Sequence, residues 1–82
     1  VTQENAKWLS DRFSVPVDSI LWFHSGCCYS RIALKTKRAA NAAAKSVSGD
    51  TVNGGWYDGM PLGGITKMPA QNGNPAYFEV MV

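Results

Sequence analysis

Apolar residues recur at two different spacings along this chain, and the switch between them divides it into elements. Ala6, Leu9 and Phe13 repeat at helical spacing, while Lys7, Asp11 and Arg12 fall on other faces, which predicts a helix from Gln3 to Ser14. Thr2 is its predicted N-cap, and Glu4 lies in the first turn, where the helix dipole favours an anion. Pro16 is expected to end the helix, because the residue before a proline is pushed out of the helical region. The spacing then shortens. Ser19 to His24 is aliphatic and aromatic and predicts a strand, Ser25-Gly26-Cys27 a turn, and Tyr29 to Lys35 a second strand. A period of two puts Ile32 and Leu34 on a core face and Tyr29, Arg31, Ala33 and Lys35 on the opposite one.

Helical spacing returns after Thr36, a predicted N-cap. Ala40, Ala43, Ala44 and Val47 form the buried stripe of a second helix, and Gly49 is its stop. A stripe of alanines lets the helix axis come close to a sheet, since no bulky side chain holds it off. From Gly49 to Gly64, glycines and Pro61 interrupt any regular pattern, predicting a loop with one short strand or turn inside it. Ile65 to Met68 predicts a third strand. A turn region from Met68 to Pro75, centred on Asn72-Gly73, separates it from a closing strand, Tyr77 to Val82, with Phe78, Val80 and Val82 facing the core.

The order is α-β-β-α-β-β, two similar halves without a sequence repeat beneath them. Such a chain builds a two-layer α+β sandwich, a ferredoxin-like variant with an antiparallel four-stranded sheet and both helices on one face. The uncovered face is expected to carry Tyr29, Arg31, Lys35 and Lys67, with either Trp22 and His24 or their neighbours Leu21 and Phe23. At 82 residues the chain is one small domain, since two cores would each be too small to hold.

Charge changes the picture more than composition does. Net charge is only +2, yet Arg31, Lys35, Lys37, Arg38 and Lys45 form a basic segment free of acidic residues. Lys37 and Arg38 fall in the first turn of the second helix, where the dipole is positive and a cation is mildly unfavourable. Cations set against the local field, beside free N–H donors, suit an anionic group docking there. The expected partner is a larger acidic protein or a protein–nucleic-acid complex.

The glycine-dense segment Asn53 to Gly64 lacks the Gly-Lys-Ser/Thr ending of a phosphate loop. It carries Trp56, Tyr57 and Met60, residue types enriched among interface anchors. Trp56 has two readings, a lid folded back over a small core or an anchor for a partner; Tyr57 and Met60 are the better candidates for exposure.

Catalytic chemistry finds little support. His24 with Cys27 or Cys28 would make a nucleophile pair, but no third orienting group is evident. As metal ligands the same three give poor tetrahedral geometry, two of them being adjacent. The six carboxylates are scattered along the chain. No catalytic residue, cofactor or metal is therefore expected. Adjacent cysteines cannot staple distant parts of a fold, which suits a reducing cytosol and a cytoplasmic location. No apolar run approaches membrane-spanning length, and no signal-peptide pattern is present.

Strand Tyr29–Lys35, helix Lys37–Val47 and the stretch Val52-Asn53-Gly54 through Gly59-Met60-Pro61-Leu62 resemble the second half of an RNA recognition motif, over well under half of the chain. The resemblance implies base stacking on the sheet. At the matching positions stand Tyr29, then Arg31 and Ala33 in place of further rings, and no strand precedes the first helix.

These features together point to a non-catalytic binding module, similar in size and in its lack of catalytic motifs to small phage accessory proteins that inhibit or modulate host machinery. It would use Trp56, Tyr57 and Met60 as an apolar anchor and the Arg31–Lys45 surface for steering. The alternative is a small RNA- or single-stranded-DNA-binding domain, in which Trp22 and Tyr29 stack bases and the cations hold phosphates.

Overall fold

In the computed structural model, which describes residues 3–82, helix α1 spans Gln3–Phe13; the N-cap predicted at Thr2 lies outside the described residues. Ala6, Leu9 and Phe13 are buried, as their spacing requires. The helix stops at Ser14, which takes a left-handed φ of 58°. The Val15 N–H then donates to the Ser10 carbonyl at 3.2 Å and closes the last turn. Pro16 follows the reversal rather than causing it. A short 3-10 turn, Val17–Ser19, comes next, and the Ser19 hydroxyl donates to the Pro16 carbonyl at 2.7 Å. Strand β1 therefore begins one residue later than its composition predicts.

The remaining elements are β1 (Ile20–Ser25), β2 (Ser30–Leu34), α2 (Lys37–Ser46), β3 (Ile65–Met68) and β4 (Tyr77–Met81). The four strands form one sheet in the order β1-β2-β4-β3, every neighbouring pair antiparallel. Both helices cover the same face. Leu9 and Phe13 of α1 and Val15 after it meet Ile32, Leu34 and Val80 of the sheet and Ala39, Ala40, Ala43 and Val47 around α2. This is the expected two-layer α+β sandwich. The place of a leading strand before α1 is taken by β4, the last strand in the chain, which lies between β2 and β3.

Helix α2 follows its local chemistry closely. The Thr36 side-chain oxygen accepts from the Ala39 N–H at 3.1 Å, the predicted cap. Ala39, Ala40, Ala43 and Val47 are buried, while Ala44 packs at the margin. Ala43 is fully inaccessible. Replacing it with leucine is expected to overpack the helix–sheet contact and cost about 1–3 kcal/mol in urea unfolding. An unchanged midpoint would mean that the interface has room to spare.

Register decides which residues line the uncovered face. A bulge between Ile20 and Trp22 leaves Leu21 unpaired with β2. Trp22 then stands opposite Ala33 and His24 opposite Arg31, while Phe23 stands opposite the buried Ile32. Trp22 and His24 thus take the open face. Across the sheet, Ala33 faces Glu79 and Glu79 faces Thr66, extending the same row. One expectation needs correction. Lys67 stands opposite Phe78, so it shares the helix-side face at the edge of the sheet; Ile65, opposite Val80, sets that phase. Ala33 does belong to the open side but is fully buried, a methyl group between the larger Trp22 and Glu79 of its row.

Candidate functional site

The segment from Val52 to Met60 is a loop that bonds to itself. The Val52 N–H donates to the Met60 carbonyl and the Gly59 N–H to the Val52 carbonyl, both at 2.8 Å. Inside this frame the Met60 N–H donates to the Tyr57 carbonyl at 2.9 Å. The Gly54 N–H donates to Asp58 Oδ1 at 2.6 Å, a charge-assisted bond that draws the two arms of the turn together. Gly54, Gly55 and Gly59 have φ of 94°, 72° and 85°, a region that L side chains rarely adopt. Val52 is buried and roots the loop in the domain.

At the tip stands Trp56, 95% exposed; Tyr57 and Met60 are each close to half exposed. The lid reading of Trp56 is overturned, because Gly54 and Gly55 turn the chain outward before it. The Tyr57 ring meets Tyr29 edge-on at 5.8 Å, so the loop leans on the β1–β2 hairpin. A second contact lies beside it: a Cβ at Gly55 would come within 2.6 Å of Cys28 Sγ.

The open sheet face carries a second cluster. Trp22 and Tyr77 meet edge-to-face at 6.3 Å, and the Arg31 guanidinium lies 6.0 Å from the Trp22 ring. Arg31 Nη1 also pairs with Glu79 Oε1 at 3.5 Å, and the Tyr77 hydroxyl donates to Glu79 Oε2 at 3.4 Å. Beyond the rings, a groove of about 460 Å³ runs under the loop from Met68 to Tyr77, lined by apolar residues and by the amides of Gln71, Asn72 and Asn74. Tyr77, Glu79 and Met81 were not among the residues singled out by sequence. Their signal was available: if Phe78, Val80 and Val82 face the core, the alternate residues must face away.

The five cations of the basic segment are all exposed but do not share one surface. Arg31 lies near the start of β2, the end where the Trp56 loop sits. Lys35, Lys37 and Arg38 follow its far end, and a strand of this length is ~17 Å long. Lys45 is in the last turn of α2, which runs back toward the loop. The structure brings Tyr29 together with Tyr57, and Trp22 with Arg31; it does not bring Lys37 or Arg38 to either pair.

Cys27 and Cys28 stand at the tip of the β1–β2 hairpin, their sulfurs 2.8 Å apart and hydrogen-bonded. The Cys28 thiol is pushed above its ordinary pKa, first by this bond to Cys27, then by partial burial, then by the charges of Cys27 and Asp58. Among the described residues, no three histidine, cysteine or acidic side chains gather as a metal-binding group. No described helix is long and apolar enough to cross a membrane. Comparison of the chain with protein-family models, with curated proteins and with solved structures gives no match.

Proposed function

We propose that this chain is a non-catalytic docking module that fastens onto a larger protein through the loop Val52–Met60. In this reading it works in the cytoplasm as an inhibitor or modulator of a larger assembly, the role that small phage and mobile-element proteins play toward host machinery. The observation that carries it is Trp56: an indole almost wholly in water on a self-bonded, glycine-shaped loop. A large apolar side chain left in solvent gains nothing for folding, and the self-bonded loop beneath it has little backbone entropy left to lose on binding, which describes an interface anchor. Tyr57 and Met60 extend the apolar patch. The exposed cations steer an acidic partner from a distance rather than forming the contact.

The test is affinity capture from the native host with two baits, the unaltered chain and Trp56→Ala, each with and without nuclease. Proteins retained by the first bait, lost with the second and indifferent to nuclease support docking through the loop. Equal retention by both baits would refute it.

A second reading rests on the open sheet face, where Trp22 and Tyr77 offer rings and Arg31 a cation in one cluster. There the ligand is single-stranded RNA or DNA, with bases stacked on the rings and phosphates held by Arg31 and Lys35. Glu79 works against it by neutralising part of the face. On this reading Arg31→Glu with Lys35→Glu eliminates retardation of a labelled single strand in a gel, and the binding of the unaltered chain falls steeply with added salt. No retardation of the unaltered chain at low salt would dispose of it.

A further inference from the structure

The two cysteines form a reactive pair beside the docking loop. They sit between Gly26 and Tyr29, whose backbones are joined by a 3.0 Å hydrogen bond at the narrow end of the hairpin. Cys27 is exposed and Cys28 half-buried against the docking loop. Cys28 Sγ fills the space that a side chain at Gly55 would need, and the next residue, Tyr29, supports Tyr57. These two contacts between the hairpin and the loop lie within one residue of the dithiol.

We propose that Cys27 and Cys28 are an oxidisable dithiol, converted by a peroxide into an internal disulfide, and that closing this bond displaces the docking loop. The sulfur of Cys27, as thiolate, attacks one peroxide oxygen: an S–O bond forms, the O–O bond breaks, and the departing hydroxide takes a proton to leave as water. The Cys28 sulfur then attacks the Cys27 sulfur. An S–S bond forms, the S–O bond breaks, and the hydroxyl leaves with the Cys28 proton as a second water. Two electrons pass from the sulfur pair to one peroxide. Exposure marks Cys27 as the sulfur that meets the oxidant, and Cys28, half-buried beside it, as the one that resolves it.

Geometry links the bond to the loop. Neighbouring Cα atoms lie ~3.8 Å apart across a trans peptide, whereas bridged cysteines usually need at least about 4.4 Å. The peptide bond fixes that separation, so the ring closes only by twisting the Cys27–Cys28 peptide and turning both side chains, which draws Cys28 Sγ toward Cys27 and alters its contact with Gly55. A strained, exposed disulfide is also readily reduced, so the change is reversible. The oxidation itself stands on the cysteines alone; its bearing on partner binding rests on the loop being the docking element.

Intact mass after one equivalent of hydrogen peroxide reads the first half. The chain is expected to lose the mass of two hydrogens, to regain it with dithiothreitol, and to yield a linked Cys27–Cys28 peptide on digestion. Gain of oxygen without that loss, or disulfide-linked dimers instead, would overturn the site. Amide and indole NMR signals read the second half: those of Gly55 and Trp56 are expected to move on oxidation, and to stay in place in peroxide-treated Cys28→Ser. A closed bond with unmoved loop signals would overturn the coupling. Neither readout involves a partner, so a failure of the docking reading, seen as unaltered capture by Trp56→Ala, remains distinguishable from a failure here.

Discussion

Replacing Trp56 with alanine is expected to weaken partner binding at least ~30-fold, the effect of losing an interface anchor worth about 2 kcal/mol or more. Burying an indole of ~200 Å² contributes about 5 kcal/mol before the costs of association are met. Few other residues here could supply as much. The same substitution should leave the domain's stability nearly unchanged, since the side chain is 95% exposed and touches none of the core. A surface change of this kind stays within ~0.5 kcal/mol, so the melting temperature should move by no more than about 4 °C. Titration calorimetry with the captured partner and a thermal melt separate the two effects. The double change Tyr57→Ala with Met60→Ala should abolish binding as well, through the flank of the same patch. Full affinity in either variant would show that the partner grips elsewhere.

Replacing Leu34 with alanine should do the reverse, leaving the loop intact while removing much of the fold's stability. Leu34 is fully inaccessible and belongs to the cluster that joins the sheet to both helices. Removing its side chain costs the lost burial plus the cavity left behind, about 2–5 kcal/mol. A domain of 82 residues holds only ~4–12 kcal/mol in total. At the lower end of that range the variant is unfolded at room temperature; elsewhere its melting temperature falls by about 10 °C or more. Urea unfolding followed by circular dichroism measures this directly. A loss below ~1 kcal/mol would mean that the sheet and helices can collapse into the space, against the close approach made by the alanines of α2.

Elements ruled by local chemistry were legible in the sequence. Thr36 caps α2 because its hydroxyl can reach the first turn, and the alanine stripe needs only its spacing to be recognised. The faces of β2 and β4 followed from alternation, since Ile32, Leu34 and Val80 leave one phase open to each strand. Features set by distant partners were not legible. The left-handed Ser14 and the 3-10 turn after it depend on how α1 hands the chain to the sheet. In β1 both alternating sets are apolar or aromatic, so nothing short of the Leu21 bulge could tell Trp22 and His24 from Leu21 and Phe23. Ile65-Thr66-Lys67-Met68 is too short and mixed to declare its phase; the register with β4 turned Lys67 to the helix side.

The candidate site divides the same way. Aromatic and glycine content marked the loop from Val52 to Met60, but choosing between lid and anchor required seeing that Val52, not Trp56, fills the core beneath it. The cations misled through proximity in sequence. Fifteen residues from Arg31 to Lys45 look like a single patch in one dimension. A strand followed by a helix carries Lys35, Lys37 and Arg38 to the end of the domain away from the loop.

The position of β4 has a consequence for biosynthesis. A ribosome delivers this segment last among the elements described, yet the sheet is a β1–β2 ribbon and a lone β3 until it slots between β2 and β3. Nearly the whole domain must therefore leave the exit tunnel before cooperative collapse can begin, and the β1–β2 ribbon waits with an open hydrogen-bonding edge. Translation stalled anywhere before Tyr77 should yield a nascent chain that proteases cut freely, with protection arriving abruptly once Val80 is clear.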